Sequence, residues 1–378
     1  MTATSTALRH HLADTLAAKG HLTDPALRTA VEDVPRELFL GDAVFRPGGS
    51  HWQPVSRADV GDDAWLHMVY DDTTWVTQVD GLSASRATGV LPGNPTSSST
   101  LPSGVVLMLE LADLHDGSKV LEIGTGTGYS TAILSHRLGD SCVYSVEYDK
   151  DVATAAAQHL AAAGRSPHLV VGDGLEGHHE GGEYGTVIAT CAVRSIPPPW
   201  LWQLQNGGSV VTTLSGWMTG SGLIRLTLDD DGVAHGRFTG DRIAYMLARP
   251  HERPPRPKLY RRPGTARTTQ LSPTLLDDWT GLLVAQLAAP SAELLTLSGG
   301  IALIDTATGS QAWTEPDGDA WTVHQDGPLR LWDQVEAALD AWQQAGAPDQ
   351  TAFGMTVTDG EQVVWLGDPG GPQWRLPL

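Results

Sequence analysis

Val120-Leu121-Glu122-Ile123-Gly124-Thr125-Gly126-Thr127-Gly128-Tyr129 decides the fold of this chain. Val120 to Ile123 form a short apolar run of the kind that fills an inner parallel strand, covered on both faces. Gly124, Gly126 and Gly128 let the backbone turn sharply and approach a ligand closely, because a residue without Cβ adopts φ angles that others avoid. Tyr129 to Leu138 continue as a helix, so the stretch reads as strand, glycine turn and helix start.

Dinucleotide-binding folds carry a related turn, and the neighbours discriminate. Glu122 stands directly before the first glycine, where a hydride-transfer fold more often continues apolar. About 20 residues on, Cys142-Val143-Tyr144-Ser145-Val146-Glu147 reads as a second strand ending in an acid, where an α/β nucleotide fold reaches ribose hydroxyls. Leu169-Val170-Val171-Gly172-Asp173-Gly174 is a third strand closing on a carboxylate in a glycine turn. This order of loop, strand, acid, strand and acid resembles the class I S-adenosylmethionine-dependent methyltransferases. The resemblance implies a Rossmann-like, doubly wound α/β sheet with S-adenosyl-L-methionine as cofactor. It also implies that Gly124, Gly126 and Gly128 pass the methionyl part, Glu147 holds the ribose hydroxyls and Asp173 meets the adenine amino group. Glu122, Thr125, Thr127, Tyr148, Gly172 and Gly174 belong to the same implied cofactor-binding set.

At 378 residues the chain exceeds one typical core, and two domains are expected. Hydrophobic residues make up 41%, no apolar run approaches bilayer-spanning length, and Met1 to Lys19 lack the central apolar block of a secretory signal. A cytoplasmic protein without membrane association is the expectation. Cys142 and Cys191 lie in or beside core strands and read as small buried hydrophobes, with a disulfide or a reactive thiol as the lesser alternative. A formal charge of −20 argues against a nucleic-acid backbone as partner. From Ile301 to Leu378, twelve acidic residues face only Arg330 and Arg375, a net of −10, which reads as a solvated acidic surface or a surface for a basic peptide. No metal ligand set stands out.

Residues 1–250 read as the methyltransferase domain, with amino-terminal helices and a substrate loop over 1–103 and the Rossmann-like core over 104–250. Ser5 to Lys19 are helical in pattern, and Thr23-Asp24-Pro25-Ala26-Leu27 starts a second helix with Asp24 as cap and Pro25 in the first turn. The polar stretch Pro47 to Ser103 is too long for a structureless loop and is expected to hold short strands and part of a substrate site. Pro102 to Leu114 read as a helix and Gly185 to Thr190 as a strand. Trp200 to Gln205 read as a helix stopped at Asn206-Gly207-Gly208, and Ser209 to Leu214 as the next strand. Residues 251–267 form a basic, Pro-rich extended linker. Residues 268–378, with seven of the thirteen tryptophans, read as an added α+β domain. Its helices are expected over Ser272 to Leu287 and Leu331 to Ala345, and its strands over Gly300 to Asp305, Ala320 to His324, Thr351 to Asp359 and Gln362 to Gly367. Thr358-Asp359-Gly360-Glu361 is a hairpin turn between the last two.

Val34-Pro35-Arg36-Glu37-Leu38-Phe39, Ser98-Ser99-Thr100-Leu101-Pro102 and Val120 to Tyr129 together resemble the protein L-isoaspartate O-methyltransferase family. They match its Val-Pro-Arg signature, its Thr-Ile-Ser-x-Pro substrate loop and its cofactor motif. The resemblance implies methylation of a side-chain carboxylate, with the loop hydroxyl at Thr100 orienting the acceptor and Ser98 and Ser99 beside it. Tyr129 either packs along the cofactor or is the first aromatic of a core helix. Thr190 either meets the donor or substrate or caps a strand end.

The chain departs from the family in its Ser98-Ser99-Thr100 loop, at Gly185 and in the residues beyond Pro250. In these it resembles the variant methyltransferases of ribosomally synthesised peptides, notably those of graspetide and lanthipeptide maturation. That branch implies a crosslinked precursor peptide as substrate, methylation of an L-Asp and closure to an aspartimide, with the carboxy-terminal domain recognising the ring. Conventional isoaspartyl repair and a non-catalytic peptide-binding adaptor are the alternatives.

Overall fold

The computed structural model describes residues 3–262 and 264–377; Pro263 of the basic stretch lies outside the described residues. Contacts divide the chain into two compact units, Met1–Thr190 with Trp202–Val211, and Cys191–Leu201 with Thr212–Leu378. The division falls inside strands, whereas the change in composition lies near Pro250.

The first unit begins with helices α1 (Ala3–Ala18), α2 (Pro25–Asp33) and α3 (Glu37–Leu40). Asp24 caps α2 by accepting from the Ala26 N–H at 2.7 Å, as the sequence predicts. The polar stretch that follows contains β1 (Ala43–Gly48), β2 (His51–Ser56), β3 (Trp75–Val79), β4 (Leu82–Ser83) and β5 (Pro95–Ser99). It also holds two helices that its composition does not announce, α4 (Arg57–Val60) and α5 (Asp62–Tyr70). The strands run in the order β2-β1-β3-β4, with β5 also on β3.

Helix α6 (Pro102–Leu111) leads to β6 (Val120–Ile123), α7 (Tyr129–Leu138), β7 (Val143–Glu147), α8 (Lys150–Ala162), β8 (His168–Val171) and β9 (Tyr184–Val193). After α9 (Pro198–Trp202) comes β10 (Leu204–Ser215). The strands of this unit lie in the order β8-β7-β6-β9-β10, and β6 pairs in parallel with both β7 and β9. The chain winds outward from β6 to β8 and then returns to the other side of β6 at β9. That reversal leaves a crevice beyond Ile123, where doubly wound sheets bind ligands. The helix expected over Trp200 to Gln205 is shorter, and Asn206 to Gly208 join β10 instead of only stopping a helix.

The second unit carries two sheets. Strands β11 (Ser221–Leu228), β12 (Ala234–Phe238), β18 (Phe353–Thr358), β19 (Glu361–Leu366) and β20 (Gln373–Arg375) form one, in the order β11-β12-β18-β19-β20. The other runs β13-β17-β16-β15-β14, built from β13 (Thr265–Thr269), β14 (Ala292–Leu297), β15 (Gly300–Asp305), β16 (Gln311–Asp317) and β17 (Ala320–Asp326). Helices α10 (Trp279–Ala288) and α11 (Leu331–Gln344) complete it. The predicted turn at Asp359-Gly360 is present, since Thr358 pairs with Glu361. The single helix expected from Ser272 instead breaks at Asp278, whose carboxylate caps a new amino terminus at Thr280 and Gly281. The basic stretch is only partly solvated: Arg253 and Arg256 both pair with Glu293 on β14. Cys142, just before β7, and Cys191, in β9, are not joined in a disulfide and are half-buried, less enclosed than core residues. No helix among the described residues is long and apolar enough to cross a membrane.

Two buried charged groups organise the first unit. Arg36, fully buried, donates to the carbonyls of Val69, Asp71, Thr73 and Thr100 and to the Ser99 hydroxyl. It thereby fixes α3, the end of α5 and both ends of the segment from β3 to β5, while burial pushes its guanidinium down to about 10, still protonated at neutral pH. Glu122, also fully buried, accepts from Ser130 at 2.5 Å, Thr131 at 2.5 Å and Ser145 at 2.6 Å. One carboxyl group thus joins β6, β7 and the first turn of α7. Burial pushes its pKa upward and the three hydroxyl donors oppose that shift.

Arg36→Met is expected to cost about 3 kcal/mol in urea denaturation, because it strands buried carbonyls without donors; an unchanged midpoint would show that the carbonyls find other partners. For Glu122, a folded-state pKa above the unfolded one means that the folded chain holds the proton longer. Its contribution is therefore full at low pH and is lost as pH rises from about 4 through the folded pKa. Glu122→Gln should flatten stability against pH over that window; parallel curves for the two proteins would contradict this.

Candidate active site

The glycine turn is built as its residues dictate. Gly124, Gly126 and Gly128 have φ of +93°, +56° and +92°, in the left-handed region that penalises a Cβ. A Cβ on Gly124 would stand 2.9 Å from the Thr190 hydroxyl, which is aimed at the Gly124 carbonyl at 2.5 Å and lies 3.1 Å from that of Ile123. Thr190, within β9, therefore clamps the loop to that strand. The Thr125 hydroxyl is buried 2.6 Å from that of Ser145, next to Glu122, and His159 Nδ1 donates to the Thr127 carbonyl at 3.0 Å. At Gly128 a Cβ would find ordinary contact with Leu160 and Phe39, so its positive φ is what favours glycine there.

The two strand-end acids stand beside this turn. Glu147 accepts from the Gly126 N–H at 2.8 Å through one oxygen and from the Asp149 N–H at 3.0 Å through the other. The next residue, Tyr148, is 53% exposed, and Val171, which pairs with Glu147, is 56% exposed. Asp173 is half-buried and accepts from the Leu175 N–H at 2.9 Å, while a Cβ on Gly172 would meet only open space. Gly174 has a different reason to be glycine, because a Cβ there would come within 2.4 Å of the Ile123 side chain. Two carboxylates thus end adjacent strands next to exposed apolar groups, open space and backbone N–H donors.

Three expectations change. Glu122 does not face the open side of the loop; its oxygens are spent on three hydroxyls, and it braces the turn from behind. Tyr129 takes the core alternative: it is buried, 5.9 Å from the Phe39 ring and 5.7 Å from the Arg36 guanidinium, and burial pushes it up to about 12. Ser98 and Ser99 are not in a loop but in β5, paired with Val76 and Trp75. Strand alternation buries Ser99, where its hydroxyl meets Arg36, and leaves Ser98 and Thr100 half-buried. The Ser98 carbonyl is the nearest atom to a Cβ built on Gly126, at 3.7 Å, so β5 lies against the glycine turn.

Sequence reasoning missed Gln78 and His159. With Thr77, Ser97, Gly126 and Thr127 they line a cavity of about 270 Å³ beside the turn. Nothing in the local pattern announces Gln78, because its role depends on a residue 71 positions away. Arg36 stands in the sequence only as part of a motif, because the partners that enclose it, Val69, Asp71, Thr73 and Thr100, lie far along the chain.

The family profile described as Protein-L-isoaspartate(D-aspartate) O-methyltransferase (PCMT) matches residues 51–226. A protein-L-isoaspartate O-methyltransferase of Ignicoccus hospitalis is 29% identical over 205 residues, covering 54% of this chain and 80% of the relative. One from Pyrococcus abyssi is 31% identical over 151 residues, covering 40% of this chain and 68% of the relative. A solved protein-L-isoaspartate O-methyltransferase shares the fold with a TM-score of 0.56 at 20% identity, over 95% of this chain and all of that one. The chain belongs to the protein-L-isoaspartate(D-aspartate) O-methyltransferase family and is an S-adenosylmethionine-dependent carboxyl methyltransferase.

Proposed function

We propose that this enzyme methylates the side-chain carboxylate of an aspartate-derived residue in a peptide or protein, with isoaspartyl residues as acceptor. The observation that carries this is the apposition of β5 to the glycine turn, which brings an acceptor strand and a donor loop together. The residues present suit S-adenosylmethionine: Glu147 sets a carboxylate at the end of β7 beside the glycine turn, Tyr148 and Val171 offer exposed apolar surface, and Gly172 leaves room beside Asp173. Bound there, it supplies a methyl group on a sulfonium whose departure leaves a neutral thioether.

The chain's own work is then positional. An acceptor carboxylate is ionised at neutral pH and needs no general base. Thr190 and His159 hold the loop backbone, Glu147 sets the ribose end, and Thr100 at the end of β5 orients the acceptor. Alignment of two reacting atoms with water excluded is enough to supply a large rate enhancement.

A second reading is methylation of an L-Asp in a crosslinked, ribosomally made peptide, followed by aspartimide closure. Its support is the altered Ser98-Ser99-Thr100 segment. The second unit does not favour it, because the solved isoaspartate methyltransferase aligns with 95% of this chain.

The two readings separate in one mass-spectrometric comparison with S-adenosylmethionine and three peptides: isoaspartyl, its L-aspartyl isomer, and a side-chain-crosslinked peptide containing L-Asp. Methyl gain on the isoaspartyl peptide alone is expected. Turnover confined to the crosslinked peptide, with methyl gain followed by expulsion of methanol and so a net loss of water, would replace the first reading with the second, and no methyl gain on any would contradict both.

A further inference from the structure

We propose that Gln78 is a positioning residue for the donor: from the acceptor-side sheet it holds the Glu147 carboxylate and the glycine turn in place, so that cofactor affinity depends on β3. The inference rests on the donor site described above.

The register of β3 on β5 shifts between Val76 and Gln78 and again between Gln78 and Val79. Such an irregularity re-aims side chains out of strict alternation, and Val76, Gln78 and Val79 are all buried. A primary amide buried in this way is costly unless both of its ends are satisfied. Both are: Gln78 Oε1 accepts from the Thr96 hydroxyl at 2.6 Å, and Nε2 donates to Asp149 Oδ2 at 3.1 Å. The opposite amide orientation would set its oxygen against a carboxylate, so the partners fix which end is which.

From Asp149 the chain of bonds continues into the donor site. Asp149 Oδ1 caps α8 by accepting from the N–H groups of Asp151 and Val152, while the Asp149 N–H donates to Glu147 Oε1 at 3.0 Å. Glu147 Oε2 takes the Gly126 N–H, and Gly126 lies against the carbonyl of Ser98 on β5, the strand that also carries Thr96. A closed circuit therefore runs β5, Gln78, Asp149, Glu147, glycine turn and back to β5. Gln78 links the β3–β5 sheet to Asp149, and together with Gly126 it borders the 270 Å³ cavity.

Calorimetric titration with S-adenosylhomocysteine tests this without relying on turnover. Gln78→Glu sets two carboxylates against each other and is expected to weaken binding roughly tenfold, the size of one charge-assisted hydrogen bond. The exchanged pair, Gln78→Glu with Asp149→Asn, restores an amide donor facing a carboxylate and keeps a good helix cap; it is expected to recover affinity to within roughly threefold of wild type. A merely structural role would lower thermal midpoints without this loss and rescue. Should Gln78→Glu fail to fold, Thr96→Val probes the far end of the amide and is expected to lower affinity severalfold. Wild-type-like binding by Gln78→Glu or, where that variant does not fold, by Thr96→Val, or a double variant no tighter than Gln78→Glu, overturns the proposal alone. A wild-type protein that does not bind S-adenosylhomocysteine overturns the donor site and this proposal with it.

Discussion

The buried carboxyl group of Glu122 is the constraint on which the donor half of the first unit depends. It sits at the end of the central strand and receives hydroxyl donors from β7 and from two successive residues of α7. A charged or protonated carboxyl in that position is tolerable only because its oxygens are paired. In turn, those pairings fix how far apart β6, β7 and the start of α7 lie, and hence the span that the glycine turn must cover. Thr125, hydrogen-bonded to Ser145, ties the turn itself into the same cluster.

Around that anchor the site is assembled from backbone more than from reactive side chains. Thr190, His159 and Glu147 each bind a backbone group of the turn, and three glycines accept φ values that other residues resist. Arg36 does the corresponding work on the neighbouring small sheet, bonding to carbonyls that flank β3 and β5. Such an arrangement suits transfer to a nucleophile that is already ionised, where catalysis consists of holding two groups in line.

The fold of the first unit was legible because its signals are local. Strand, glycine turn and acid recur at spacings set by βαβ geometry, and Asp24-Pro25 announces a helix start in two residues. The positions of Glu147 and Asp173 at and just beyond two strand ends were legible for the same reason. What stayed hidden depends on register and on distant partners. Ser98 and Ser99 look like loop residues because serine is a poor strand former, yet pairing with Trp75 and Val76 makes them a strand and decides which hydroxyl is buried. Glu122 and Tyr129 carry the right motif but point inward, which a one-dimensional pattern does not specify. In the second unit, β11 to β14, β16 and β20 escaped; β16, for one, sets polar residues in a stretch that is buried throughout, Gln311 to Thr314, and so carries no period-two signal. The extra domain, read from the sequence as a departure from the isoaspartate family, is matched in extent by a solved protein-L-isoaspartate O-methyltransferase that shares the fold over 95% of this chain.

Hydrogen–deuterium exchange with and without S-adenosylhomocysteine tests the location of the donor site most directly. The account predicts that slowed exchange concentrates at Gly124 to Tyr129, Glu147 to Asp149 and Gly172 to Leu175, the three strand ends around the crevice. Protection confined to other segments, with these three unchanged, would contradict it.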